Sequence, residues 1–153
     1  MAKGSHIMEL HKPLNHTWDF VSDINNWAPL VTGYVTHKII DSRHSTWRLH
    51  GDLGFIKRFI NLNVEITEWE APIKISFTIA SPTKKLIGKG FFQAEAISHS
   101  TTRITSEIEM KAKGKGDFVF NSAMKPFVLI MTKKLSNAVA NEIVKQRKTN
   151  INI

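Results

Sequence analysis

Apolar and polar residues alternate with period two through most of the stretch from Tyr34 to Met110, and segments of helical period flank that stretch. Val35, His37 and Ile39 alternate with Tyr34, Thr36 and Lys38. After a turn at Asp41-Ser42-Arg43-His44, Trp47, Leu49, Gly51 and Leu53 share one face, with Thr46, Arg48, His50 and Asp52 on the other. Ile60, Leu62, Val64 and Ile66 form the next apolar face, ended by Ala71-Pro72, and Ile73, Ile75, Phe77 and Ile79 follow, ended by Ser81-Pro82. Gly88, Gly90, Phe92, Ala94 and Ala96 lie on one face of a sixth strand. Ile104, Ser106, Ile108 and Met110 complete the series, with Arg103, Thr105, Glu107 and Glu109 outward. Such alternation predicts an antiparallel sheet with one solvated side.

The flanks differ. His6 to His11 reads as an edge strand. Pro13 falls in the first turn of a short helix carrying Leu14, Trp18 and Val21, where its missing donor costs nothing. Trp27 and Leu30 make a second short helix or turn, stopped near Pro29 and Gly33. Beyond Gly114 and Gly116, Phe120, Met124, Phe127, Val128, Met131, Leu135, Ala138 and Val139 form one helical stripe. Pro126 is expected to start or kink that helix, and the tail beyond Lys145 to fray.

This order predicts an α+β fold in one domain over residues 1–153, with a core from about 5 to 145. A curved antiparallel sheet of about seven strands wraps a long C-terminal helix, and two short helices lie between the first and second strands. A sheet curled round a helix leaves a hollow, and the inward positions nominate its lining. From the sheet these are Trp47, Leu49, Leu62, Val64, Ile75, Phe77, Gly90, Phe92 and Ile108. From the helix they are Met124, Phe127 and Met131, soft and aromatic side chains that adapt to greasy ligands. Gly88, Gly90, Ala94 and Ala96 leave little side-chain volume over their strand, which calls for a bend, bulky neighbours or a ligand.

Charge adds one feature. The chain carries +8 overall, but residues 111–153 hold nine Lys/Arg against Asp117 and Glu142, an excess of +7. Together with Phe118, Leu129 and Ile130, which lie off the apolar stripe, this suggests docking on an anionic membrane or an acidic protein surface. Aromatics confined to core faces argue against nucleic acid. The chain has no cysteine, which excludes disulfides and thiolate chemistry. The longest apolar run, Phe127 to Met131, is far too short to span a bilayer, and no apolar targeting core follows Met1, so a cytoplasmic protein is expected.

Candidate chemistry is sparse. The seven histidines show no metal-ligand spacing, so no metal or cofactor is expected. Glu65, Glu95, Glu107 and Glu109 point away from the apolar faces by register, and Glu142, close to the stripe of the last helix, is expected to reach water near the helix end. This leaves no paired carboxylates for acid–base work and no catalytic residue to name. His37, on an otherwise apolar strand face, is the candidate polar handle, with Ser106 and Tyr34 beside it as alternatives.

Residues from Met8 to Val144 carry a resemblance to a known group. Pro13 followed by Trp18-Asp19-Phe20-Val21-Ser22-Asp23, then Trp27 and Gly33, opens it. The Gly54-Phe55-Ile56-Lys57 turn, Glu68 through Pro72, Gly88 with Gly90, and Thr102-Arg103-Ile104-Thr105 continue it. The chain resembles the START-related helix-grip superfamily (SRPBCC), and within it the carbon monoxide dehydrogenase G-like branch. The resemblance implies a binding or carrier protein for a lipophilic molecule such as a lipid, quinone or polyketide. That branch is linked to maturation or electron supply of molybdenum hydroxylases. The superfamily also holds cyclase or hydratase enzymes, which need a polar residue at cavity depth. It further holds interaction modules that stimulate a chaperone's ATPase, which need an exposed surface and a filled interior.

Overall fold

A computed structural model describes residues 2–52, 57–113 and 117–151. The first strand, β1 (Ala2–Leu10), starts well before His6. Ala2 and Gly4 are too small to register as an apolar face, yet both are buried. Two short helices follow, α1 (Leu14–Val21) and α2 (Ile24–Trp27), and then a 3-10 turn at Ala28–Leu30. Pro13 stands at the N-cap of α1, just outside the first turn, and its carbonyl accepts from the Thr17 N–H at 3.2 Å. The Asp23 carboxylate caps α2 by accepting from the Asn25 N–H at 3.0 Å.

Six strands follow: β2 (Tyr34–Ile39), β3 (His44–Asp52), β4 (Lys57–Glu70), β5 (Lys74–Ala80), β6 (Leu86–Ala96) and β7 (Thr102–Ala112). All pairings are antiparallel, in the order β1-β7-β6-β5-β4-β3-β2. The last element is the helix α3 (Asp117–Ile151). A seven-stranded sheet, a long C-terminal helix and short helices after β1 make the expected α+β arrangement. The turn at Leu53 to Ile56 and the glycines Gly114 and Gly116 lie outside the described residues, as does the side chain of Phe118.

The inward face is largely the expected one: Trp47, Leu62, Ile66, Ile75, Ala94, Ile104, Ile108 and Met110 are buried. β2 departs from it. Val35 and Ile39 are 44% and 42% exposed, because β2 is an edge strand whose pairing shifts register between Tyr34 and Thr36. Ile73 precedes β5 and Ala96 ends β6, and both are exposed.

α3 runs through Pro126 and neither begins there nor stops at Lys145. It lies against β1 and β7. Met124, Val128 and Met131 pack on Ala2, Ile108 and Met110, while Val139, Ala140 and Ile143 pack on Leu10, Phe20, Val21 and Ile104. The approach at β1 is backbone to backbone. A Cβ on Gly4 would meet Thr132 Oγ1 at 2.6 Å and the Val128 carbonyl oxygen at 2.7 Å. Seated this closely on one side of the sheet, α3 leaves space between itself and the wall formed by β3 to β6.

Candidate functional site

That space is a hollow of two lobes. The first, about 120 Å³, is bounded by Trp47, Leu49, Leu62 and Val64 on β3 and β4, and by Met124, Phe127 and Met131 on α3. The second, about 80 Å³, lies under Val21, Ile75, Phe92, Ile104 and Ser106, with Thr132, Ser136 and Val139 on the helix. Trp27, Phe77, Ile108 and Leu135 line both. Native interiors leave few voids larger than a water molecule. Apolar cavities of roughly 150 Å³ stay dry and take up molecules the size of benzene. Two adjoining lobes of this size therefore suit a ligand of two rings or a short chain.

Eleven of the twelve nominated lining residues border the hollow. Gly90 does not. The Phe77 ring lies over it, so that a Cβ would meet Phe77 Cζ at 2.6 Å, and the Glu107 carbonyl oxygen at 2.7 Å. The missing side chain makes room for Phe77 and for a tight sheet, not for a ligand. Gly88 behaves alike, with the Glu109 carbonyl oxygen 2.5 Å from a Cβ position.

Of the nominated polar handles, only Ser106 lines a lobe. His37 and Tyr34 do not, because the irregular register of β2 turns them to the rim. There the Tyr34 hydroxyl and His37 Nδ1 are 2.6 Å apart, and His37 Nε2 lies 2.8 Å from Asn25 Oδ1. With Asn25 Oδ1 as acceptor, Nε2 carries the proton and Nδ1 accepts from the Tyr34 hydroxyl. The imidazole packs against Trp47 with ring centroids 5.4 Å apart and planes tilted by 36°, bracing the wall of the first lobe from its rim. Trp47 is held further by its indole N–H, which donates to Ser45 Oγ at 2.9 Å.

A family model matches residues 1–148. Among curated proteins none matches in sequence. Solved structures do match. A conserved protein from Geobacillus kaustophilus superposes with a TM-score of 0.74 at 15% identity, over 94% of this chain and 95% of that one. The Zhui aromatase/cyclase from a Streptomyces species gives 0.71 at 14% identity, over 94% of each chain. The chain has the helix-grip fold. A norcoclaurine synthase from Thalictrum, solved with a transition-state analogue, shares the helix grip at a TM-score of 0.69 and 10% identity, over 95% of each chain. Identities this low establish the fold of a helix-grip protein and leave its activity open, and the matches single out no branch.

Among the described residues of this helix-grip chain no Asp, Glu, Lys or Arg borders the hollow, although His50, placed by the strand pattern on the outer face, borders the first lobe. Glu107 pairs with Lys3 at 3.3 Å and Glu109 with Lys89 at 3.8 Å on the outer face. In the β2–β3 turn, His44 Nδ1 is 2.9 Å from Asp41 Oδ1. The Arg43 backbone N–H, followed by His44, holds the Asp41 carboxyl below its ordinary range. The Ser76 hydroxyl does the same for Glu68, donating at 2.8 Å, with Lys74 adding to it. Among the described residues no three of His, Asp and Glu gather as a metal site would require. Inside the hollow, the Thr132 hydroxyl donates to the Val128 carbonyl and the Ser136 hydroxyl to the Thr132 carbonyl, each at 2.8 Å.

Several lining residues escaped nomination although the pattern contained them. Leu135 and Val139 belong to the helical stripe, and Ile60, Ile79, Ile104 and Met110 to the strand faces. Trp27 had no such signal. It closes a four-residue helix too short to show a period, and its indole N–H donates to the Val21 carbonyl at 3.1 Å. That bond sets the ring where it borders both lobes.

Proposed function

We propose that this protein binds a lipophilic small molecule, of the lipid, quinone or polyketide kind, in the two-lobed hollow and carries it without chemical change. The observation that supports this reading is the lining itself: mostly aliphatic, aromatic and methionine side chains, with a few polar ones (Thr32, His50, Ser106, Thr132 and Ser136) and, among the described residues, no Asp, Glu, Lys or Arg. Acid–base catalysis asks for convergent titratable groups beside the substrate, whereas binding asks only for apolar surface and a few placed polar atoms. The outer face of α3 supports a carrier. Leu129 and Ile130 are 52% and 53% exposed beside the exposed Lys125, Lys133 and Lys134, a combination suited to transient docking on anionic lipid.

A cyclase-type enzyme is the second reading. It is favoured by the hydroxyl of Ser106 within the second lobe. The two readings part on turnover.

The test is uptake of an apolar fluorescent dye, with native mass spectrometry for co-purified ligand. Leu62→Trp places a larger ring in the first lobe and should lower dye affinity about tenfold or more while the chain still folds cooperatively. Absence of dye binding in the unaltered protein, or unchanged binding in Leu62→Trp, would overturn the proposal.

A further inference from the structure

We infer that Ser106 is the polar anchor of the second lobe, so that the ligand is an apolar molecule bearing a carbonyl or hydroxyl oxygen that seats there. The inference rests on the binding reading above and narrows its ligand class. Three hydroxyl residues border this lobe: Ser106, Thr132 and Ser136. The protons of Thr132 and Ser136 are spent on helix carbonyls. Thr132 Oγ1 is also directed toward β1, being 2.6 Å from the Cβ position of Gly4.

Ser106 differs. It lies on the inward face of β7 between Ile104 and Ile108, is half-buried, and its hydroxyl bonds to no other described residue. Every fully buried side-chain nitrogen and oxygen among the described residues has a partner, so the unbonded Ser106 hydroxyl keeps accessible surface and is open to a ligand that enters the lobe. A serine hydroxyl both donates and accepts, and it meets a ligand carbonyl or hydroxyl equally well. The apolar walls on either side make that hydrogen bond count, since the alternative is an oxygen buried without a partner. His6, directly opposite Ser106 on β1 and on the same face, does not border the lobe and serves as the control position.

Naphthalene and 2-naphthol, alike in shape and different by one oxygen, separate the two claims by equilibrium dialysis. Both should bind the unaltered protein. Ser106→Ala should weaken 2-naphthol about three- to tenfold, the range of one buried neutral hydrogen bond, and leave naphthalene unchanged. His6→Ala should change neither. If Ser106→Ala shifts both probes alike or shifts neither, or if the 2-naphthol loss follows His6→Ala instead, Ser106 is not the anchor while the cavity reading stands. If neither probe binds the unaltered protein, the cavity reading falls and this inference with it. A melting temperature unchanged in Ser106→Ala shows that the comparison is between folded proteins.

Discussion

Gly90 shows how a residue's role reverses once its neighbours are known. On the strand pattern it is a gap in the wall; in the fold it is filled by Phe77. Gly90→Ala should therefore destabilise the protein, by about 1–3 kcal/mol as overpacking commonly does, since the Glu107 carbonyl is backbone and cannot swing aside. Denaturant unfolding checks this, and a variant as stable as the parent would return Gly90 to the cavity wall. His37 misleads for a related reason. A histidine on an alternating strand reads as inward until a bulge resets the alternation, and no residue between Tyr34 and Thr36 announces that bulge. Ser106 sits in an uninterrupted strand, and its inward direction follows from parity alone.

At the scale of elements, the β4–β5 hairpin carries a pH signature. Glu68 on β4 accepts from Ser76 on β5, which holds its carboxyl below the ordinary glutamate range. A folded value depressed in this way adds stability above the ordinary range, and the gain is lost as pH falls through the folded value. Ser76→Ala should move the Glu68 titration, followed by NMR, upward toward an ordinary glutamate. A midpoint that stays put would assign the depression to Lys74 instead. β1 and α3 illustrate another limit of pattern. The burial of Ala2 and Gly4 comes from the close seating of α3, and small residues give no hydrophobic signal of their own. The helix stripe from Met124 to Val139 was legible because large apolar residues recur at helical spacing along it.

For the whole molecule the charge asymmetry becomes testable. Leu129 and Ile130 stand exposed beside Lys133 and Lys134 on α3, whose inner face borders the first lobe through Phe127 and Met131. Each basic residue near an anionic membrane adds about 1 kcal/mol, and the attraction decays within a Debye length. Co-sedimentation should find the protein on vesicles rich in phosphatidylserine and not on phosphatidylcholine alone. Binding should be lost in high salt and weakened by Lys133→Glu with Lys134→Glu. Equal binding to both vesicle types would leave the lysines as a solvated face. Among the described residues no helix is long and apolar enough to cross a membrane.

The order of elements, the α+β class and the inward parity of β3 to β7 followed from the sequence alone, because each depends on periods of 2 and 3.6 that the chain states locally. Eleven lining residues were legible for the same reason. Tertiary structure decided the rest. Phe77 covering Gly90, Trp27 swung over both lobes by its bond to Val21, and the Tyr34–His37–Asn25 chain at the rim each join positions that no local period relates. The division of the hollow into two lobes, with a free hydroxyl in one, arises where side chains from β3 to β7 meet α3. That meeting depends on how tightly α3 seats on β1, a distance set by packing between distant segments and written in neither one by itself.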